Sequence, residues 1–184
     1  MQHTINSMLL GFGLLASTAA TAGDWKIFPV TDADYKPEVT LSLVGGDMKP
    51  AHFASGAYTG VELALNCLAL QPPIGIIRSK LSYGSFNKNG IKINTFEINP
   101  RWTTHLSDNL TFGIGPGIGY VTVDMGGQST GMTALQVGAD LDYRIGALNL
   151  GLGARWQGTQ NKLISPTLRG ADNVLVQAKV GINF

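Results

Sequence analysis

Two stretches near the end of the chain decide the fold: LNLGLGARWQ at Leu148–Gln157 and VLVQAKVGINF at Val174–Phe184. In both, aliphatic or aromatic residues alternate with glycine, polar or charged residues. Because successive side chains of a β-strand point to opposite faces, this period of two predicts strands. Strands of about this length cross a membrane when they are tilted.

Further strands are found by working outward from these two. The same alternation predicts eight in all, and Pro100 and Pro116 predict irregular pairing where they fall inside two of them. The segment 23–36 has no period and is interpreted as a periplasmic lead-in. The predicted strands span Glu38–Gly45, Ala57–Cys67, Ile74–Tyr83, Ile91–Trp102, Asn109–Thr122, Met132–Arg144, Leu148–Gln157 and Val174–Phe184.

The second face of these strands indicates what the sheet is exposed to. Charged residues make up only 14% of the chain, against about 25% in soluble domains, and the non-aliphatic face carries glycines and isolated charges. This favours aliphatic side chains facing lipid around a narrow polar lumen. The predicted fold is therefore all-β, an eight-stranded antiparallel up-and-down transmembrane β-barrel. The alternative is a secreted β-sandwich with its apolar face inward.

The first residues predict export. MLLGFGLLA at 8–16 is an apolar stretch of signal-peptide length, and Ala20-Thr21-Ala22 fits a cleavage site, although no Lys or Arg precedes them. We expect a signal peptide at 1–22, cleaved near Ala22, and a barrel domain at 23–184. The predicted location is the cell outer membrane of a Gram-negative bacterium.

The predicted connections alternate in length. Those at 46–56, 84–90, 123–131 and 158–173 are long or polar and are predicted to be external, whereas 68–73, 103–108 and 145–147 are predicted to be periplasmic turns. Lys162 and Arg169 make the last loop the candidate contact surface. Aromatic residues are expected at two rims: Trp102, Tyr143 and Phe184 at the periplasmic one, and Tyr58, Tyr83, Tyr120 and Trp156 at the outer one.

Ten charged residues fall on the inward face of the predicted strands. Eight strands enclose little more than their own side chains, and a buried charge without a partner is costly. We therefore expect an ion-pair network that closes the lumen; a narrow conducting path or a gate is the alternative. The residues are Glu62, Arg78, Lys80, Glu97, Arg101, Asp140, Asp142, Arg144, Arg155 and Lys179.

Two segments carry a resemblance to a known family. VLVQAKVGINF, which ends on Phe184, resembles the C-terminal assembly signal of bacterial outer-membrane barrels, and SDNLTFGIGPGIGY at 107–120 looks like a periplasmic turn and the strand after it. Over about 150 residues the chain resembles the small eight-stranded superfamily of outer membrane protein A-like and Ail-like barrels. The resemblance implies outer-membrane lipid, lipopolysaccharide and the barrel-assembly machinery as partners, with an external ligand unknown.

The resemblance implies a role without fixing it, because one fold hosts many activities. The favoured function is a non-enzymatic barrel that serves envelope integrity or surface interaction through its external loops. A small porin or hydrophobic-solute transporter is the first alternative, and a lipid A-modifying enzyme is the second.

An enzyme is not predicted. His105-Leu106-Ser107 has a spacing similar to that of lipid A deacylase barrels, but it falls in a predicted periplasmic turn, where Ser107 suits chain reversal. The net charge of +1 disfavours a nucleic-acid partner. The single cysteine, Cys67, excludes a disulfide within the chain, and no metal-ligand spacing or cofactor motif is found.

Overall fold

A computed structural model describes residues 24–184, so the predicted signal peptide at 1–22 lies outside the described residues. Within them, eight strands close into one barrel. The barrel strands are β2 (Thr40–Pro50), β3 (Gly56–Asn66), β5 (Ile76–Lys88), β6 (Ile91–His105), β7 (Leu110–Met125), β8 (Gln128–Ile145), β9 (Leu148–Thr159) and β12 (Asn173–Asn183).

Short elements decorate the two ends of the barrel. A two-residue strand β1 (Lys26–Ile27) pairs with β4 (Leu70–Gln71), and a 3-10 turn follows at Pro29–Thr31. At the other end, β10 (Leu163–Ser165) pairs with β11 (Leu168–Arg169). In the part of the chain described here, no helix has both the length and the apolar character needed to cross a membrane.

The barrel closes through its first and last strands. β12 runs antiparallel to β2 with Asn183 opposite Thr40 and Asn173 opposite Pro50, and the Phe184 amide donates to the Val39 carbonyl at 2.8 Å. Every other pair of neighbouring barrel strands follows one after the other along the chain, and each pair is antiparallel. The predicted up-and-down eight-stranded barrel is therefore confirmed.

The strands extend further than predicted at the end opposite the termini. Asn89-Gly90 and Gly126-Gly127 form two-residue hairpin turns in which all four residues have positive φ, the backbone required by a type I′ turn. The loops predicted at 84–90 and 123–131 are thus mostly strand, and the loop predicted at 46–56 shrinks to 51–55. The expected alternation of loop length was wrong, since the connection 67–75 at the terminal end is longer than these three.

A band of large apolar side chains surrounds the barrel on its outward face. Tyr83, Phe96 and Tyr120 stand directly opposite one another across β5, β6 and β7, and all three are exposed. Trp102, Tyr143 and Phe184 are exposed near the terminal end. Tyr58 was wrongly predicted at the outer rim, because its position on β3 shares the parity of inward Glu62 and it is buried inside.

The polarity of the two faces reverses above the Tyr83–Phe96–Tyr120 row. There the outward positions are polar, such as Lys92 and Asp124, while the inward ones are apolar, such as Ile93 and Val123. Apolar residues inward and polar residues outward are typical of strands in water. The upper part of the barrel therefore follows the rule of a soluble protein, and the lower part follows the opposite one.

Candidate functional site

The lumen is the candidate functional site, and the strand period positions its side chains. Even-numbered residues point inward on β2, β3, β5 and β8, and odd-numbered ones on β6, β7, β9 and β12. All ten predicted charged residues lie on this inward face. Eight of them are buried, and Asp142 and Arg144 nearer the terminal end are half-buried.

Six of these residues form one cluster, here called the central cluster: Glu62, Lys80, Arg101, Asp140, Asp142 and Lys179. The Lys179 ammonium lies 3.0 Å from Glu62, 3.1 Å from Asp140 and 3.4 Å from Asp142. The Lys80 ammonium contacts the same three carboxylates at 3.9, 3.2 and 3.0 Å. The cluster therefore contains three cations and three anions. Their mutual attraction offsets the cost of removing each charge from water.

Arg101 joins the central cluster to a break in the wall. Pro100 on β6 lies opposite Pro116 on β7, and the register between Ile98 and Trp102 lacks ladder pairs there. Because proline has no amide hydrogen, nearby carbonyls are left free. The Arg101 guanidinium donates to the carbonyls of Gly115 at 2.8 Å and Pro116 at 3.0 Å, and to Asp140 at 3.1 Å. The predicted irregular pairing is present, and the inward Arg101 provides hydrogen-bond donors for the carbonyls at this break.

Glycines on the inward face leave room for the long charged side chains. A Cβ at Gly138 would stand 2.6 Å from Nη2 of Arg101, and one at Gly151 would stand 2.8 Å from Cε of Lys179. Both distances are far below an ordinary van der Waals contact. The glycine-rich face therefore serves to accommodate side chains that cross the lumen.

Two other ion-pair groups lie above and below the central cluster. Arg155 pairs with Glu97, and its guanidinium lies 5.9 Å from the centre of the Tyr58 ring, within cation–π range. At the terminal end, Glu38 accepts from Arg78 at 3.4 Å and from Arg144 at 3.2 Å. The ten predicted residues therefore fall into three groups, and Glu38 is an eleventh member that sequence reasoning missed.

A second layer of the lumen, here called the apolar cap, fills the end away from the termini. Phe86, Met48 and Met132 are fully buried in it, and Ile164 from the loop 160–172 packs down on it. The layer is formed by Val44, Met48, Tyr58, Phe86, Ile91, Ile93, Val121, Val123, Met132, Ala134, Ile164, Ala171 and Leu175. Sequence reasoning missed it because it treated the inward face as polar along its whole length.

The spaces left between these layers are small. One at the terminal mouth, beside Glu38, Arg78 and His105, measures about 30 Å³, and one beside Glu97, Asn99 and Arg155 measures about 20 Å³. Either volume suits water rather than an organic solute.

The other residues considered as candidates lie outside the ion-pair groups and the apolar cap and make local structural contacts. The Ser107 hydroxyl accepts the Leu110 amide at 3.2 Å, which is turn chemistry, and His105 is exposed at the end of β6. Lys162 and Arg169, proposed for surface contact, donate to the carbonyls of Gly131 and Asn161. Among residues 24–184, no group of side chains suited to hold a metal ion is present, and Cys67 is a free, half-buried thiol.

Solved structures share this architecture. Ail of Yersinia pestis matches with a TM-score of 0.52 and 13% identity, covering 82% of this chain and 100% of that one. The chain has the fold of small bacterial outer-membrane barrels. The N-terminal barrel of Pseudomonas aeruginosa OprF matches at 0.52 and 14% identity over 81% and 100% of the chains. Neisserial surface protein A matches at 0.55 and 13% identity over 79% and 96%.

The likeness extends to the fold alone. No family model matches the sequence, and no curated protein matches it. The predicted resemblance to small outer-membrane barrels is therefore confirmed for architecture, and the activity has to be argued from the residues of this chain.

Proposed function

We propose that the chain is an integral barrel of the bacterial outer membrane with a closed lumen, and that its role is non-enzymatic. It would contribute to envelope integrity or to surface interaction, with its strands anchored in the membrane and its outer end and loops presented outside it. The observation that carries this proposal is the filling of the lumen by two successive layers, the central cluster and the apolar cap. Ions would have to separate paired charges and then cross an apolar layer.

The outward face supports the membrane location. Residues such as Leu43, Leu150, Leu152 and Val180 are exposed on the wall, where water would disfavour so much contiguous apolar surface. The proposed partners are therefore outer-membrane lipid and lipopolysaccharide around the band, with the barrel-assembly machinery acting on the last strand. No cofactor is part of the proposal.

The alternative of a small porin or hydrophobic-solute transporter would need a continuous path. Such a path would pass Lys179, which is 1% exposed, and Phe86, which is fully buried. The alternative of a lipid A-modifying enzyme would need Ser107 as a nucleophile, whereas its hydroxyl is engaged with the turn amide of Leu110. Neither alternative gains a specific observation in its favour.

Two measurements on the refolded protein test the proposal. Unboiled and boiled samples should migrate differently in detergent gels, because a closed sheet without free edges resists unfolding. In planar lipid bilayers the protein should produce no stable conductance steps. A matched variant that truncates one side chain of the central cluster and two of the apolar cap, Lys179→Ala with Phe86→Ala and Met132→Ala, should conduct small ions more readily than the unmodified protein and serves as the comparison. Regular steps from the unmodified protein, or its recovery in the soluble periplasm, would overturn the proposal.

A further inference from the structure

An apolar platform stands beside the barrel at its terminal end. Here the name rim platform denotes residues 25–30 together with 68–74, which are joined by the pairing of β1 with β4. Ile27 lies opposite Leu70 in this small sheet, and they are 71% and 38% exposed. Trp25, Phe28, Val30, Leu68 and Ile74 are exposed around them.

The two faces of the rim platform differ in polarity. Cross-strand partners share a face, so Ile27 and Leu70 lie on one side and Lys26 and Gln71 on the other. The Gln71 side chain accepts the Ile77 amide at 2.8 Å and donates to the Ile77 carbonyl at 3.0 Å. Because Ile77 belongs to β5, the polar face is turned toward the barrel wall. The apolar face therefore points away from it.

The position of Ile74 shows on which side of the wall the platform lies. Its carbonyl accepts the indole N–H of Trp102 at 2.9 Å. Trp102 is an exposed residue on the outward face of β6, the face that carries the apolar band. The connection 67–75 is thus attached to the outside of the barrel and is continuous with that band, and does not lie beneath the lumen.

We propose that the rim platform rests in the interface of the inner, phospholipid leaflet, with lipid as its occupant. This inference depends on the proposed membrane location of the barrel. Tryptophan and other large apolar side chains favour the level of the headgroups and upper acyl chains. Irregular backbone is excluded from the hydrocarbon core, but it can be hydrated at this level. The platform would add a peripheral membrane contact to the spanning strands.

The test places a polarity-sensitive fluorophore at single cysteines in a Cys67→Ser background, in barrels folded into phosphatidylcholine vesicles. The test variants are Ile27→Cys and Leu70→Cys. Their emission should shift to the blue, and lipids spin-labelled near the headgroup should quench them more strongly than lipids labelled deep in the acyl chain. Lys26→Cys, on the opposite face, should show a smaller shift and weaker quenching.

Two further variants separate this inference from the proposed function. Leu150→Cys, in the middle of the outward band, should be quenched best by the deep label, and Ser129→Cys, beyond the aromatic row, should be quenched by neither. If Leu150→Cys behaves so while Ile27→Cys resembles Ser129→Cys, the barrel spans the membrane but the platform does not touch lipid. The blue shift of the fluorophore at Ile27→Cys should persist when the protein is diluted in excess lipid. Loss of the shift on dilution would show that a second copy of the chain covers this face and would overturn the inference.

Discussion

The ammonium of Lys179 lies 3.1 Å from Oδ1 of Asp140, and the two side chains are only 1% and 6% exposed. Lys179 belongs to β12 and Asp140 to β8, with β9 between them in the wall. The contact therefore passes over β9 on the lumen side and joins two strands that share no backbone hydrogen bonds. Lys80 and Arg101 reach Asp140 from β5 and β6, so that one carboxylate links four strands.

Removing the Lys179 charge should be strongly destabilising. Lys179→Met would leave Asp140, Glu62 and Asp142 with a buried negative excess, and breaking a buried ion pair on one side costs about 3–5 kcal/mol. We expect a loss of this order in the free energy of unfolding, measured by reversible urea titration in lipid vesicles. Lys92→Met is the control, because Lys92 is exposed beyond the aromatic row. Equal losses in the two variants would contradict the ion-pair role.

A new positive charge should destabilise the barrel by different amounts at two adjacent positions on β9. Leu150 is exposed on the apolar band and Asn149 is buried in the lumen, where its amide lies 3.4 Å from Asp142. Leu150→Arg should cost about 2–4 kcal/mol, as expected for arginine facing lipid at the midplane. Asn149→Arg avoids that transfer, since its guanidinium would lie next to a carboxylate. The same vesicle unfolding assay compares them, and equal costs would indicate that the outward face of β9 does not contact lipid.

Much of this arrangement could be predicted from the sequence, because a period of two fixes which side of a wall each residue occupies. All ten inward charges follow from that parity alone. The same parity places Glu38 on the inward face of the strand predicted at Glu38–Gly45, so it could have been included; in the structure its φ is 43° and it lies just before β2. Asn89-Gly90 is a strong hairpin signal that could have corrected the loop predicted at 84–90.

The apolar cap escaped prediction for a different reason. The lumen was expected to be polar and 84–90 to be a loop, whereas Phe86 on β5 and Ile93 on β6 face inward, with Asn87 and Lys92 facing outward. The alternation itself continues through the aromatic row, and only its polarity changes. Under the proposed membrane location, the polarity of each face matches the medium at that height, lipid below the row and water above it.

The apolar cap should contribute to stability as a protein core does. Phe86→Ala would empty a fully buried site and should lower the free energy of unfolding by about 3–5 kcal/mol, the range for a core phenylalanine. Phe96→Ala removes the same side chain from the outward face, where Phe96 is exposed, and should cost less. Unfolding of both variants in the same lipid gives the comparison. A smaller loss for Phe86→Ala than for Phe96→Ala would show that the upper layer is not a packed core.

Phe184 should matter more for assembly in cells than for the stability of the finished barrel. Phe184 is 77% exposed, and its backbone amide donates a hydrogen bond to the Val39 carbonyl at 2.8 Å. An aromatic ring at the membrane interface adds modest burial, so Phe184→Ser should fold into detergent or thin bilayers nearly as well as the unmodified chain. The resemblance of the last strand to an assembly signal implies recognition before the barrel closes. We therefore expect less folded protein in the outer membrane of cells that express Phe184→Ser, with precursor or degradation products accumulating.

Tyr143→Ser removes another exposed aromatic ring of the same rim from β8 and should leave assembly unchanged. Normal insertion of Phe184→Ser in cells would contradict the signal, and failure of the purified variant to fold would show that the ring is needed by the barrel itself.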